Sequence, residues 1–182
     1  MKDHFMEEVV VRKSNGLNRI LYLLSWVIII LSGMSAMFMF SAVSSSLMSG
    51  GFDLQTLLML LLCAGICGYT FFFHDRLLNE YEYTFTNGAL DFAEVYNNKK
   101  RKSLGSLNVR NVECFAKVSS GHFQRYVNMP DIKRMNWFLN RGAELYFFYF
   151  TKDQDKKMII LEPSEQLVEY ICAYLPRGAF RE

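Results

Sequence analysis

The chain has 182 residues, 20 Lys+Arg against 18 Asp+Glu, and is 51% hydrophobic. That length suits one domain, or a smaller domain with an anchor, and a formal net charge of +2 excludes a strongly basic nucleic-acid binder. Between Ile20 and Phe73 the single charged residue is Asp53, which excludes both a simple soluble globule and a disordered chain.

Residues 1–19 form a polar leader to that apolar block. Phe5 to Val11 reads as one face of a short helix or, at Val9 to Val11, as a strand. The segment is expected either as a short element on the membrane or the C-terminal domain, or as a loose tail. Asn15-Gly16 is a turn signal just before the block.

The block divides into two spans. Residues 20–43 and 54–73 carry no charge, and as helices they cover ~36 and ~30 Å, enough for a ~30 Å hydrocarbon core. Residues 44–53, with four serines, paired glycines and Asp53, have loop composition. A transmembrane helical hairpin at 20–73 follows. A cleaved signal peptide is disfavoured because the first apolar run is too long and a second span follows at once.

Lys and Arg set the orientation. Lys2, Arg12, Lys13 and Arg19 precede the first span, Arg76 and Lys99 to Lys102 follow the second, and the intervening loop has none. Both termini are therefore expected on the cytoplasmic side of a cell-membrane, multi-pass protein. Trp26, Tyr22, Tyr69 and Phe71 to Phe73 fit the interfacial aromatic belts. Ser32 and Ala36 share one face of the first span, Ala64 and Gly68 one face of the second. Small residues at this spacing let helices approach closely, either within the hairpin or against a second copy or partner helix. Neither span holds Asp, Glu, Lys, Arg or His, so no proton relay, ion path or intramembrane catalysis is expected.

The last 104 residues, 79–182, read as short strands and then one helix. Glu80 to Thr86 alternates polar and aromatic residues, and Asn87-Gly88 is a strong two-residue hairpin signal. Leu90, Phe92 and Val95 mark a second strand whose alternation slips, suggesting a bulge. Asn97 to Lys100 is a turn, Leu104 and Leu107 lie on a third strand, and Val109 to Val118 contains a fourth. Residues 119–143 resist reading beyond short strands near Met129-Pro130. Glu144 to Thr151 is apolar on both faces and so requires a cover on each. Lys152 to Asp155 is a turn before a last strand, Lys156 to Leu161. A helix then starts at Glu162-Pro163-Ser164-Glu165 and carries the apolar stripe Leu167, Ile171, Leu175. The expected domain is mainly β, about seven antiparallel strands in a barrel or sandwich capped by a C-terminal α-helix.

The Asn-Gly hairpin, the basic tip, the late aromatic strand and the Glu-Pro-Ser-Glu helix ending in Tyr-Leu-Pro resemble a bacterial pleckstrin-homology-like (PH-like) domain. The resemblance rests on Tyr81 to Leu90, Lys99 to Ala116, Leu145 to Phe150 and Ile159 to Pro176. With two spans before it, the chain resembles uncharacterised two-pass membrane proteins of Gram-positive bacteria that carry such domains. The resemblance implies a binding fold and brings no catalytic motif. Many eukaryotic relatives of the fold hold phosphoinositide headgroups through basic residues on the first strands. Here the cluster Lys99, Lys100, Arg101, Lys102 stands without a spaced basic pattern across the first hairpin.

That basic run reads as a solvated hairpin tip, an anionic-lipid contact or a protein contact. No His, Cys and carboxylate grouping has metal spacing, no glycine loop cradles phosphate and no nucleophile elbow is present, so neither catalysis nor a cofactor is expected. The four cysteines are expected as reduced structural thiols. The sequence therefore points to a membrane-anchored adaptor or scaffold with lipids and a protein partner, or its own copy, as contacts. The alternative is a lipid- or small-ligand-responsive sensor using the basic tip or the barrel end.

Overall fold

The computed structural model describes residues 4–13 and 15–181. Lys2, counted above in the flanking charge, lies outside them. The chain divides into two compact units, a helical one at Ser14–Leu78 and a β-rich one made of the residues on either side of it.

The helical unit is a hairpin of α1 (Asn15–Met48) and α2 (Leu54–Phe73), both long and apolar enough to cross a membrane. Helix α1 starts at the Asn15-Gly16 pair expected as a turn, and it continues through residues 44–48, expected as loop. Two of the serines fit the helix by donating their hydroxyls to carbonyls one turn back. Ser44 reaches Phe40 O at 2.9 Å and Ser45 reaches Ala42 O at 2.9 Å. Gly50, at φ +77°, ends the helix. Asp53 then caps α2, its carboxylate accepting from Gln55 N at 3.0 Å and from the Thr56 hydroxyl.

The β unit holds two sheets. The first has the order β1-β2-β3-β4, formed by Phe5–Val10, Asn79–Thr86, Ala89–Tyr96 and Lys100–Asn108. The N-terminal segment is thus an edge strand, pairing from Phe5 opposite Thr86 to Val10 opposite Tyr81. The sequence alone leaves its fate open because six residues carry no period long enough to decide. The Asn87-Gly88 turn has positive φ at both residues, +50° and +96°, and Thr86 faces Ala89 across it. The slip in alternation is a bulge: Phe92 pairs with Gly105 and Ala93 with Ser103, leaving Leu104 as the extra residue.

The second sheet has the order β6-β8-β7-β5-β9. Its strands are β5 (Cys114–Lys117), β6 (Ile132–Trp137), β7 (Tyr146–Lys152), β8 (Asp155–Leu161) and β9 (Phe180–Arg181). Of the expected barrel or sandwich of about seven antiparallel strands, the two-sheet arrangement is present, and the strand count, the uniform antiparallel order and the closed barrel are corrected. The described residues contain nine strands in two sheets, with no closed barrel, and β5–β9 and β6–β8 are parallel. The parallel pairs arise because helices bring the chain back. Helix α3 (Gly121–Val127) lies between β5 and β6, and α4 (Glu165–Tyr174) between β8 and β9.

Strand β7 has five consecutive buried residues, Tyr146 to Phe150, and its two faces enter two apolar clusters. Tyr146, Phe148 and Phe150 join the larger one, with Tyr83, Phe85 and Phe92 of the first sheet and Leu167 and Ile171 of α4. Phe147 and Tyr149 join the smaller one, which Phe123 and Tyr126 of α3 cover. The helix in the unreadable stretch is therefore the cover the doubly apolar strand requires. Helix α4 starts one residue after its cap, Ser164, whose hydroxyl accepts from Leu167 N at 3.3 Å. Pro163 stands just outside the helix rather than in its first turn.

Candidate interaction surfaces

The four cations expected at a basic tip lie at the β3–β4 connection. Asn97 and Asn98, at φ +49° and +52°, make the turn, and Lys99 N donates to Tyr96 O at 2.9 Å. Lys100, Arg101 and Lys102 open β4, all exposed. Successive strand residues point to opposite faces, which splits the cluster. Arg101 pairs with Val95 in register and reaches past β3 to Glu82 of β2, with Nε 3.0 Å from Oε2. Lys100 and Lys102 lie on the other face, opposite Tyr96 and Glu94. Burial raises the Glu82 carboxyl above its ordinary value and a hydrogen bond with the Glu7 carboxyl raises it further, while Arg101 pulls it down. Glu82 escapes sequence reading because it is a long-range neighbour of Arg101, set by register alone. Glu80 to Thr86 alternation does predict that Glu82 faces away from the core.

A second region joins β1 to the start of α4. The Glu8 carboxylate accepts from Ser164 N at 2.8 Å and from the Ser164 hydroxyl at 2.8 Å. An anion at a helix N-terminus is favourable there. Asn140 ties the next residues down. Its Oδ1 accepts from Lys13 N at 2.8 Å, and its Nδ2 donates to Val11 O at 2.9 Å and Glu162 Oε1 at 2.9 Å. A recess of about 420 Å³ opens beside this network, bordered by Glu8, Glu144, Glu162 and Glu165 with Lys13. Among its lining groups, Glu8, Asn140, Glu162 and Ser164 tie the N-terminal strand to the start of α4, while Glu144 pairs with Lys117.

A third region is the seam between the two sheets, where β4 and β6 are edge strands of different sheets. A recess of about 140 Å³ lies there, floored by Phe92, Leu104, Met135 and Trp137 and bordered by Lys152 and Lys157. Phe92 and Trp137 pack with ring centroids 4.6 Å apart. Tyr83 secures the floor from below, its buried hydroxyl donating to Trp137 O and accepting from Glu162 N at 3.3 Å. Burial holds that phenol far above its ordinary range. Gly105, at φ +148°, lets β4 bulge past Trp137, whose ring would lie 3.9 Å from a Cβ built there. None of Gly105, Trp137, Lys152 and Lys157 is visible as a site in the sequence, since they come from four separate strands or turns.

In the helical unit, Ser32 and Ala36 are half-buried, whereas Ala64 is exposed and a side chain at Gly68 would meet open space. One contact between the helices joins Gly33 and Cys67. A Cβ at Gly33 would lie 3.7 Å from Cys67 Sγ, which donates to Ile29 O at 3.6 Å. The small residues of α2 therefore face outward from the hairpin. The four cysteines are unpaired with one another.

A family model described as Bacterial PH-like domain (DUF6106) matches residues 2–181. No curated protein and no solved structure matches the chain significantly.

Proposed function

This chain belongs to the bacterial PH-like domain family, whose model spans nearly all of it, and from that premise we propose that it is a membrane-anchored interaction module without catalysis of its own. The observation that carries the reading is the discontinuity of the β unit. Strand β1 precedes the helical hairpin, β2 to β9 follow it, and β1 and β2 are paired over six residues. One hydrogen-bonded sheet lies on one side of a bilayer, because backbone groups left unpaired in hydrocarbon cost several kcal/mol each, on the order of 2–7. The hairpin therefore crosses an even number of times. With the Lys and Arg bias, the β unit and both termini are cytoplasmic. The two covalent connections join the sheet at the end of β1, Val10, and at the start of β2, Asn79, on neighbouring strands, and hold the domain at the inner leaflet for a protein partner.

Cross-linking in native membranes, followed by mild-detergent purification and mass spectrometry, tests the reading. A stoichiometric second protein joined to residues 79–181 is the expected result. Self-cross-links alone, or none, overturn the adaptor reading and leave the lipid- or ligand-responsive one. That second reading draws on one observation, the exposure of Lys100 and Lys102 on one face of β4.

A further inference from the structure

The seam between β4 and β6 unites three features that call for one kind of occupant. First, β4 is an edge strand whose sheet neighbour is β3, so its other side presents backbone donors and acceptors along Lys100–Asn108. Second, its bulge at Leu104–Gly105 opens an apolar recess with room for one side chain. Third, the surroundings are cationic beyond the basic tip. Lys152 and Lys157 border the recess, and Lys133 of β6 stands directly opposite Lys157 in parallel register. Like charges facing one another across strands are unfavourable unless an anion joins them. Asp155, 4.0 Å from Lys157, is 70% exposed and screens it little.

We propose that this seam receives an extended acidic segment of a partner protein, which adds to β4 as a strand, sinks one apolar side chain between Leu104 and Trp137 and sets flanking carboxylates against Lys152 and Lys157. The inference rests on the interaction-module reading and names its surface and partner chemistry. Strand addition supplies affinity through main-chain hydrogen bonds and specificity through pockets for alternate side chains. Charge decides the partner: the apolar side chain fills the recess while carboxylates two residues before and after it, on the same face of the added strand, meet the lysines. A flat bilayer fits the same surface poorly. Strand alternation turns Arg101 away from Lys100 and Lys102, so one plane cannot meet all three, whereas a strand running along the edge passes each in turn.

The test uses the full chain in phosphatidylcholine nanodiscs. The probe is a fluorescein-labelled ten-residue peptide with one central valine, glutamates two residues before and after it and serine elsewhere, read by anisotropy and by amide hydrogen exchange of β4. The expected result is saturable binding with slowed exchange over residues 100–107. Binding weakens about tenfold or more when the glutamates become lysines, when alternate peptide amides are N-methylated, or in Lys152→Glu/Lys157→Glu. Lys152→Glu alone, at an exposed position, repeats the charge test should the double variant melt early. Absence of saturable binding, indifference to N-methylation, or protection confined to another edge overturns the proposal. So does equal protection of 100–107 produced by anionic lipid in the nanodisc without peptide, which would make the seam a membrane contact. A stoichiometric partner cross-linked only at other surfaces would also overturn it, while leaving the interaction-module reading intact.

Discussion

Gly88 is the residue at which local and tertiary demands coincide. Its φ of +96° suits the two-residue turn, and a Cβ there would lie 2.8 Å from the Tyr174 ring of α4. Gly88→Ala is expected to destabilise the protein by about 1–3 kcal/mol, measured by thermal unfolding of the detergent-solubilised chain. The Asn-Gly pair announces the turn in the sequence, but the Tyr174 contact belongs to an element more than eighty residues away. Glu82 carries a different lesson. A carboxyl raised in the folded state binds its proton more tightly there than in the unfolded chain. Its stabilising contribution is therefore complete below the ordinary value of 4.5 and is lost as pH rises through the raised value. Arg101 is 58% exposed and offsets little of that loss at neutral pH. Glu82→Gln should melt above the parent protein at pH 7, by an amount on the order of 0.5 kcal/mol, and the gap should close as pH falls toward 4.5. A gap that widens on acidification would refute the assignment.

At the scale of elements, β1 is the strand whose loss matters most. It covers the edge of β2, buries Val10 and sends Glu8 to the first turn of α4. A fragment beginning at residue 79 lacks all three. We expect that fragment to unfold at lower temperature and to self-associate through the bared β2 edge, as read by size-exclusion chromatography. Joining residues 4–13 to residue 79 through a short Gly-Ser linker in place of the hairpin should restore a monomer with a higher melting temperature. Glu8→Ala in the full chain isolates the cap. It leaves Ser164 N without its carboxylate partner and should cost about 0.5–2 kcal/mol. The strands β2, β3 and β8 and the helix α4 are legible in the sequence because period, turn chemistry and capping agree there. Residues 119–143 are not, because α3 and β6 are short and are held by contacts with β7 and β8 rather than by a pattern of their own.

For the whole molecule, orientation is the property with the widest consequence. A membrane-impermeant maleimide should label Ser49→Cys in intact cells, whereas Ser103→Cys should react only after permeabilisation. The reverse pattern would place the β unit outside and remove the basis for an inner-leaflet module. One contact between the two helices joins Gly33 and Cys67, a pairing that small-residue spacing does not single out.

By itself the sequence determined the two long apolar helices, the first Asn-Gly hairpin, the aromatic strand needing two covers and the amphipathic helix after β8. These follow from hydropathy length, local turn stereochemistry and periodicity, all of which act between near neighbours. Tertiary structure alone decided that Phe5–Val10 is a strand, that β6 pairs with β8 and β9 with β5 in parallel, that Arg101 parts from its basic neighbours to meet Glu82, and that Lys152 and Lys157 border one recess with Trp137. Each of those outcomes depends on which residues become opposite one another when distant strands take up their register, and strand register is a property of the packed sheets rather than of any single segment.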